Sequence, residues 1–198
     1  MSALTVTTAP TIEAVDLAAA AEWLRLGDIE DVQDIEPNIG GLLKAARITV
    51  ENVTNRTLCT TVLKLTLDGW PACGVIRLPR SPVASVGSVK YYDTTGTQQT
   101  LSSSAYQADL LSAPARIEPA YGYVWPSLYS RMNAVEVNYT AGATSPLLVS
   151  DTIKLAIKML VAHWYESREP IITGTIVAMV PFHIEQLLVN ETIPHFEW

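Results

Sequence analysis

Charge is scarce in this chain. Only 17% of its 198 residues are Asp, Glu, Lys or Arg, against about a quarter in an average soluble protein. The shortage is worst on the basic side, with 13 Lys and Arg facing 20 Asp and Glu, for a formal net charge of −7. A chain so poor in cations does not hold nucleic acid by neutralising phosphates, which takes clustered Lys and Arg. Its two cysteines, Cys59 and Cys73, are too far apart for a CxxC pair, so zinc-ribbon and thioredoxin-type chemistry is excluded. Three scattered histidines without ligand spacing are a poor metal set. No apolar run reaches the roughly 18 residues that cross a bilayer. The N-terminal MSALTVTTAPTIEAVDL has neither the basic region nor the apolar stretch of a signal peptide. The expectation is a soluble protein made in a reducing cytoplasm, with no membrane partner and no cofactor. The Asn-x-Thr tripeptides at Asn52, Asn55, Asn138 and Asn190 are then coincidental. GxSxG, Walker A, GxGxxG and HExxH are all missing, which removes the enzyme classes that carry them.

What is present divides by hydrophobic period. Asp16 is placed to cap a short helix over LAAAAEWLRL that ends by Gly27. Ile39, Leu42, Leu43, Ala46, Val50 and Val53 recur at spacings of three and four, which predicts a longer helix with Pro37 in its first turn. From Cys59 to Thr140 the period drops to two. TTVLKLTLDGW sets Leu63, Leu65 and Leu67 against Val62, Lys64 and Thr66, and six further segments continue the pattern as short strands. The helical period returns at Ile153, Ala156, Ile157, Leu160 and Trp164, capped by Ser150 or Asp151 and stopped by Pro170. A short helix over FHIEQLLVN and the tail ETIPHFEW follow. These patterns predict an α+β fold: a helical bundle core, an inserted antiparallel β subdomain and an extended C-terminal tail. The expected division is N-terminal helices over 1–57, the β subdomain over 58–142, C-terminal helices over 150–190 and a tail over 191–198, all within one domain spanning 1–198.

Three clusters invite a chemical reading. HWYESREP places His163 and Glu166 three apart on one helix, close enough to share a metal or a proton, with His183 or Glu169 as a conceivable third ligand. A metal-dependent hydrolase built on His163 and Glu166 is therefore one alternative. The stronger reading makes His163, Glu166, Arg168 and Glu169 polar contacts at a helix end. GDIEDVQDIEP gathers Asp28, Glu30, Asp31, Asp34 and Glu36 without a base, which reads as a solvated acidic loop or as a surface that repels passing DNA. AYGYVWPSLY concentrates Tyr121, Tyr123, Trp125 and Tyr129 without interleaved cations. That favours core or a protein interface over base stacking, and a sugar-binding loop is a further alternative. Asp68 reads as the Asp of a strand-ending Asp-Gly turn, not as a catalytic acid.

The ordered set LPRSPVASVGSVKYYDTTG, PARIEPAYGYVWP and AHWYESRE, spread across nearly the whole chain, resembles the head–tail connector (adaptor or head-completion) proteins of tailed phages and gene transfer agents. The resemblance implies a non-enzymatic virion protein at the head–tail junction, made in the host cytoplasm. It implies a ring, usually dodecameric, docked under a portal protein and continuing the DNA channel. Its partners would be the portal, neighbouring copies and a downstream neck or tail protein, with DNA passing unbound. A tail-completion or tail-terminator ring is the nearest alternative. On this reading Phe182, Leu187, Leu188, Ile193, His195, Phe196 and Trp198 are candidates for portal contact. Candidates for contact between subunits are His163, Glu166, Arg168 and Glu169, with Ile171, Ile172, Ile176 and Val177 from the apolar run IITGTIVAMVP. Asp28, Glu30, Asp31, Asp34 and Glu36 are candidates to face the channel. Removal of residues 190–198 is expected to spare the fold and weaken portal docking.

Overall fold

The computed structural model describes residues 2–26, 32–166 and 181–194, with the backbone alone for 32–38. Among the described residues it contains four α-helices and eight strands: β1 (Ser2–Thr8), α1 (Leu17–Trp23), α2 (Val32–Thr54), β2 (Thr61–Leu67), β3 (Ile76–Leu78), β4 (Val83–Tyr92), β5 (Gln98–Thr100), β6 (Tyr106–Asp109), β7 (Ala115–Pro119), β8 (Val135–Ala141), α3 (Asp151–Glu166) and α4 (Phe182–Leu188).

The strands form two antiparallel sheets, one in the order β1-β2-β8-β4-β5 and one in the order β3-β7-β6. Alternation in β2 and β8 turns Leu63, Leu65, Val135, Val137 and Tyr139 to one face, where they meet Ile76, Leu78 and Ile117 of the smaller sheet. All eight are 2% exposed or less. At about 1.5–3 kcal/mol for each fully buried large apolar side chain, this inter-sheet layer is a principal source of stability. Tyr139 lies within it and donates its hydroxyl to the Pro79 carbonyl at 2.8 Å, which satisfies its one polar atom.

The helices form a second cluster. Ile39, Leu43, Ala46 and Val50 of α2 pack with Ile153, Ala156, Ile157 and Leu160 of α3 and with Ile184 and Leu188 of α4. Leu42, Val53 and Trp164, expected on the same stripes, are half-buried against it. Asp16 caps α1 as expected, its Oδ1 accepting the Ala19 N–H at 2.6 Å.

The expectation of a helical bundle core with a β insertion is thus corrected. Eight strands stand beside the four described helices, and the two sheets bury a core of their own, so the helices are not the core with the strands as an insertion. An unexpected strand adds to the larger sheet: Leu4 and Val6 alternate with Thr5 and Thr7 in β1, which pairs along β2 and ties the N-terminus in. A second correction concerns α2, which begins at Val32, so Pro37 lies beyond its first turn.

The two clusters meet along a polar seam. Arg47 is 4% exposed. It donates from Nε to Glu13 Oε2 at 2.6 Å and from Nη1 to Glu51 Oε2 at 2.8 Å, while Glu51 Oε1 accepts the Leu58 N–H at 2.8 Å. Burial opposes the Arg47 charge, but the Glu13 hydrogen bond and the Glu51 and Glu13 carboxylates outweigh it and hold the guanidinium above its ordinary value. Burial pushes the Glu51 carboxyl up despite the Leu58 N–H and Arg47. Arg80 joins the β3–β4 loop to the end of α2, donating from Nη1 to the carbonyls of Glu51 (2.7 Å) and Arg56 (3.2 Å). Where β8 leaves its sheet, Gly142 has φ +92°, and its N–H donates to the Pro82 carbonyl at 2.8 Å.

Cys59, beside this seam, is 1% exposed, and burial pushes its thiol up to about 12, whereas Cys73 is exposed. A thiolate is the reactive form, so a thiol reagent at pH 8 is expected to modify one cysteine in the native protein and two after denaturation. Rapid modification of both in the native state would contradict the closed seam.

Candidate interaction surfaces

The acidic segment is partly helical. Asp34 and Glu36 lie in the first turns of α2, and Asp28, Glu30 and Asp31 lie outside the described residues. Acids in an N-terminal turn complement the helix dipole, a signal that favoured helix over loop here.

At the end of α3, Trp164 packs against the helical cluster, His163 is half-buried and Glu166 is exposed. Arg168, Glu169, Ile171, Ile172, Ile176 and Val177 lie outside the described residues. Among the described residues no three His, Cys, Asp or Glu side chains come together in a way that could hold a metal ion, so His163 and Glu166 find no third ligand there. No described helix is long and apolar enough to cross a membrane.

α4 divides its portal-contact candidates. Phe182 is 71% exposed and Leu187 half-buried, whereas Leu188 is fully buried in the helical cluster. Ile193 is 6% exposed and stapled to the end of α2. Its N–H donates to the Thr54 carbonyl and its carbonyl accepts from Asn55 Nδ2, both at 2.9 Å. Glu191 is held beside it, accepting from Ser150 Oγ at 2.7 Å and, through its carbonyl, from Arg56 Nε at 2.5 Å. Removing residues 190–198 would therefore take out a buried anchor, and a truncation that spares the fold must begin after Pro194. His195, Phe196 and Trp198 lie outside the described residues.

The aromatic segment between β7 and β8 is half core, half surface. Trp125 stacks on Trp70 with ring centroids 4.4 Å apart and 9° between planes. Both indoles are satisfied, Trp125 Nε1 donating to the Gly74 carbonyl and Trp70 Nε1 to the Pro126 carbonyl, each at 2.8 Å. Tyr121, Tyr123, Val124, Tyr129 and Met132 are exposed beside them. Asp68 Oδ1 accepts the Asn133 N–H at 3.0 Å, which holds the approach to β8 and lowers its carboxyl pKa.

Sequence reasoning missed the surface around β1. All seven of its residues are exposed, and Leu4 (37%) and Val6 (59%) stand beside the buried Leu65 and Leu63 without full cover among the described residues. Below Leu4 lies a cleft of about 280 Å³ lined by Arg77, Pro79, Arg80, Ile193 and Pro194 among others.

No protein-family model and no curated protein matches the chain. Solved structures do. A chain in the neck of an empty gene transfer agent particle, computed with C6 symmetry, aligns at a TM-score of 0.80 and 25% identity, over 98% of this chain and 97% of that one. A chain in the virion of a native gene transfer agent particle aligns at 0.78 and 23%, and one in a native neck computed with C12 symmetry at 0.72 and 23%, with the same coverage. Over nearly its whole length the chain is thus similar to proteins of the gene transfer agent neck, and the resemblance to head–tail connector proteins read in its sequence is borne out.

Proposed function

We propose that this protein is a structural component of a virion neck, forming a ring beneath the portal that joins the DNA-filled head to the tail and continues the DNA channel. The observation that carries this reading is the end-to-end likeness to a chain in a rotationally symmetric neck, 98% of one chain on 97% of the other. A likeness that extends over both clusters and both sheets supports the same task, not a shared local motif. Its role on this reading is architectural, not catalytic.

The surface chemistry fits. A ring multiplies the −7 charge of each copy, and like charge keeps DNA moving through a bore instead of adhering to it. Asp28, Glu30, Asp31, Asp34 and Glu36 are the proposed channel-facing acids. His163, Glu166 and the segment that follows them are the proposed contacts between copies. Exposed Phe182, with His195, Phe196 and Trp198, is the proposed portal contact. A downstream neck or tail protein completes the set of partners.

Multi-angle light scattering of the protein mixed with purified portal tests the reading. The expected result is a complex whose added mass is a whole-number multiple of the chain, with loss of docking when residues 195–198 are removed. Absence of any complex across the accessible concentrations would overturn the ring, and undiminished docking of the truncated chain would overturn the assignment of the tail.

A further inference from the structure

An edge strand presents a row of unpaired backbone donors and acceptors, and soluble proteins blunt such edges with charge, proline or short length. The smaller sheet follows that rule, with Arg77 in edge strand β3 and Asp109 in edge strand β6. The larger sheet follows it only in the three-residue length of β5. Its outer strands are β1, SALTVTT, and β5, QQT, with neither a charge nor a proline in either, and every residue of both is exposed. The uncharged character runs past the strands, from Ser2 to Ile12 on one side and from Thr94 to Ala108 on the other.

These two open edges lie at opposite ends of one sheet, four strand spacings or about 19 Å apart. A closed ring of identical copies needs such a head-to-tail pair, in which one patch meets a different patch on the next copy. The directions also fit. Each neighbouring pair from β1 through β2, β8 and β4 to β5 is antiparallel, so after four reversals β5 runs the same way as β1. Copies related by rotation about an axis along the strands would therefore bring β1 beside a neighbour's β5 as a parallel pair.

We propose that β1 is a joining strand whose free edge pairs with β5 of a second copy of this chain, so that the larger sheets of successive copies continue into one belt. The proposal rests on the ring reading above and adds the contact that closes it. β5 is held in place for this by Asp93, whose Oδ1 accepts the Thr95 and Thr97 N–H groups at 2.9 and 3.1 Å and whose Oδ2 accepts from Gln99 Nε2 at 2.9 Å. Because β5 has three residues, the joint has only two or three backbone hydrogen bonds. It is too weak to gather copies from dilute solution, and it forms where the portal has already collected them.

Cysteine trapping tests the contact. In a Cys73→Ser background, Ala3→Cys is combined with Thr100→Cys in one variant and with Gln99→Cys in another, since the registers across the sheet put Ala3 level with Thr100 and adjacent β5 positions face opposite sides. On the portal, mild oxidation is expected to give a ladder of covalent multiples with one of the two pairs, and no ladder with any single-cysteine variant. Rings that assemble like wild type but run as single chains for both pairs would overturn the contact and leave the ring reading intact. Ala3→Glu gives an independent measurement. Ala3 is exposed and lies opposite Thr66, so the variant keeps its circular dichroism and melting profile, and its assembly on the portal is expected to weaken at least tenfold. Unchanged assembly would also overturn the contact. Failure of the wild type to assemble on the portal would remove the ring reading itself, and this inference with it.

Discussion

Arg47→Ala is expected to destabilise the protein by about 3–5 kcal/mol, because it leaves Glu51 buried without its partner. Glu51 has only 12% of its side chain exposed, and burial already pushes its carboxyl up while Arg47 pulls it down. Loss of Arg47 lets that carboxyl rise further. A carboxyl raised in the folded state favours folding below its unfolded pKa and loses that advantage as pH rises through the folded value. The variant's deficit is therefore larger at pH 7 than at pH 4. At roughly 2–4 °C per kcal/mol for a chain of this size, the melting temperature at pH 7 falls by about 6–20 °C. The double variant Arg47→Met/Glu51→Leu should recover much of the loss, since apolar side chains of similar volume often replace a buried pair at little cost. Denaturant titration of the three proteins makes the test. A loss under about 1 kcal/mol for Arg47→Ala would mean that the buried ion pair does not hold the seam.

Gly142→Ala is the second large effect. With φ at +92° the backbone there suits glycine, and a Cβ would stand 2.3 Å from the Cys59 carbonyl oxygen and 3.0 Å from Thr57 Cγ2. The nearest obstacle is backbone, held by the Ala143 N–H donating to the Leu58 carbonyl and the Thr60 N–H donating to Ala143. Strain of about 1–3 kcal/mol from the dihedral adds to overpacking of about 1–3 kcal/mol, for an expected loss near 4 kcal/mol. The loss should also show as faster modification of Cys59, whose own backbone carbonyl is the atom displaced. A variant as stable as wild type with Cys59 still protected would show that the crossing of β8 over residues 57–59 relaxes freely.

These two residues also mark how far the sequence could be read. The seven strand segments between Cys59 and Thr140 were legible because alternation is a local property, and so were the stripes of α2 and α3. β1 was missed because its alternation is short and its partner β2 lies some sixty residues away. The Arg47–Glu51 spacing of four is visible in the sequence, but their burial is not, since it depends on Glu13, thirty-four residues upstream. Among the candidate surfaces, Phe182 is exposed while Leu188 and Ile193 face inward. One apolar pattern, FHIEQLLVNETI, served both purposes, and composition does not say which side a neighbour occupies. The helical-bundle expectation failed for a related reason. Amphipathic helices at both ends looked like the core, when the inner faces of two sheets supply a second one.

The staple at Ile193 has a mechanical consequence. Tension applied at Pro194 does not peel α4 away from its end. It reaches first the Thr54 and Asn55 bonds to Ile193 and the Arg56 and Ser150 bonds to Glu191. The two bonds to Ile193 take the load first and the two to Glu191 stand directly behind them, so each pair backs the other. The load then passes into the C-terminus of α2, and through Arg80 into the β3–β4 loop. A pull on the tail is thus passed to both halves of the molecule instead of to α4 alone.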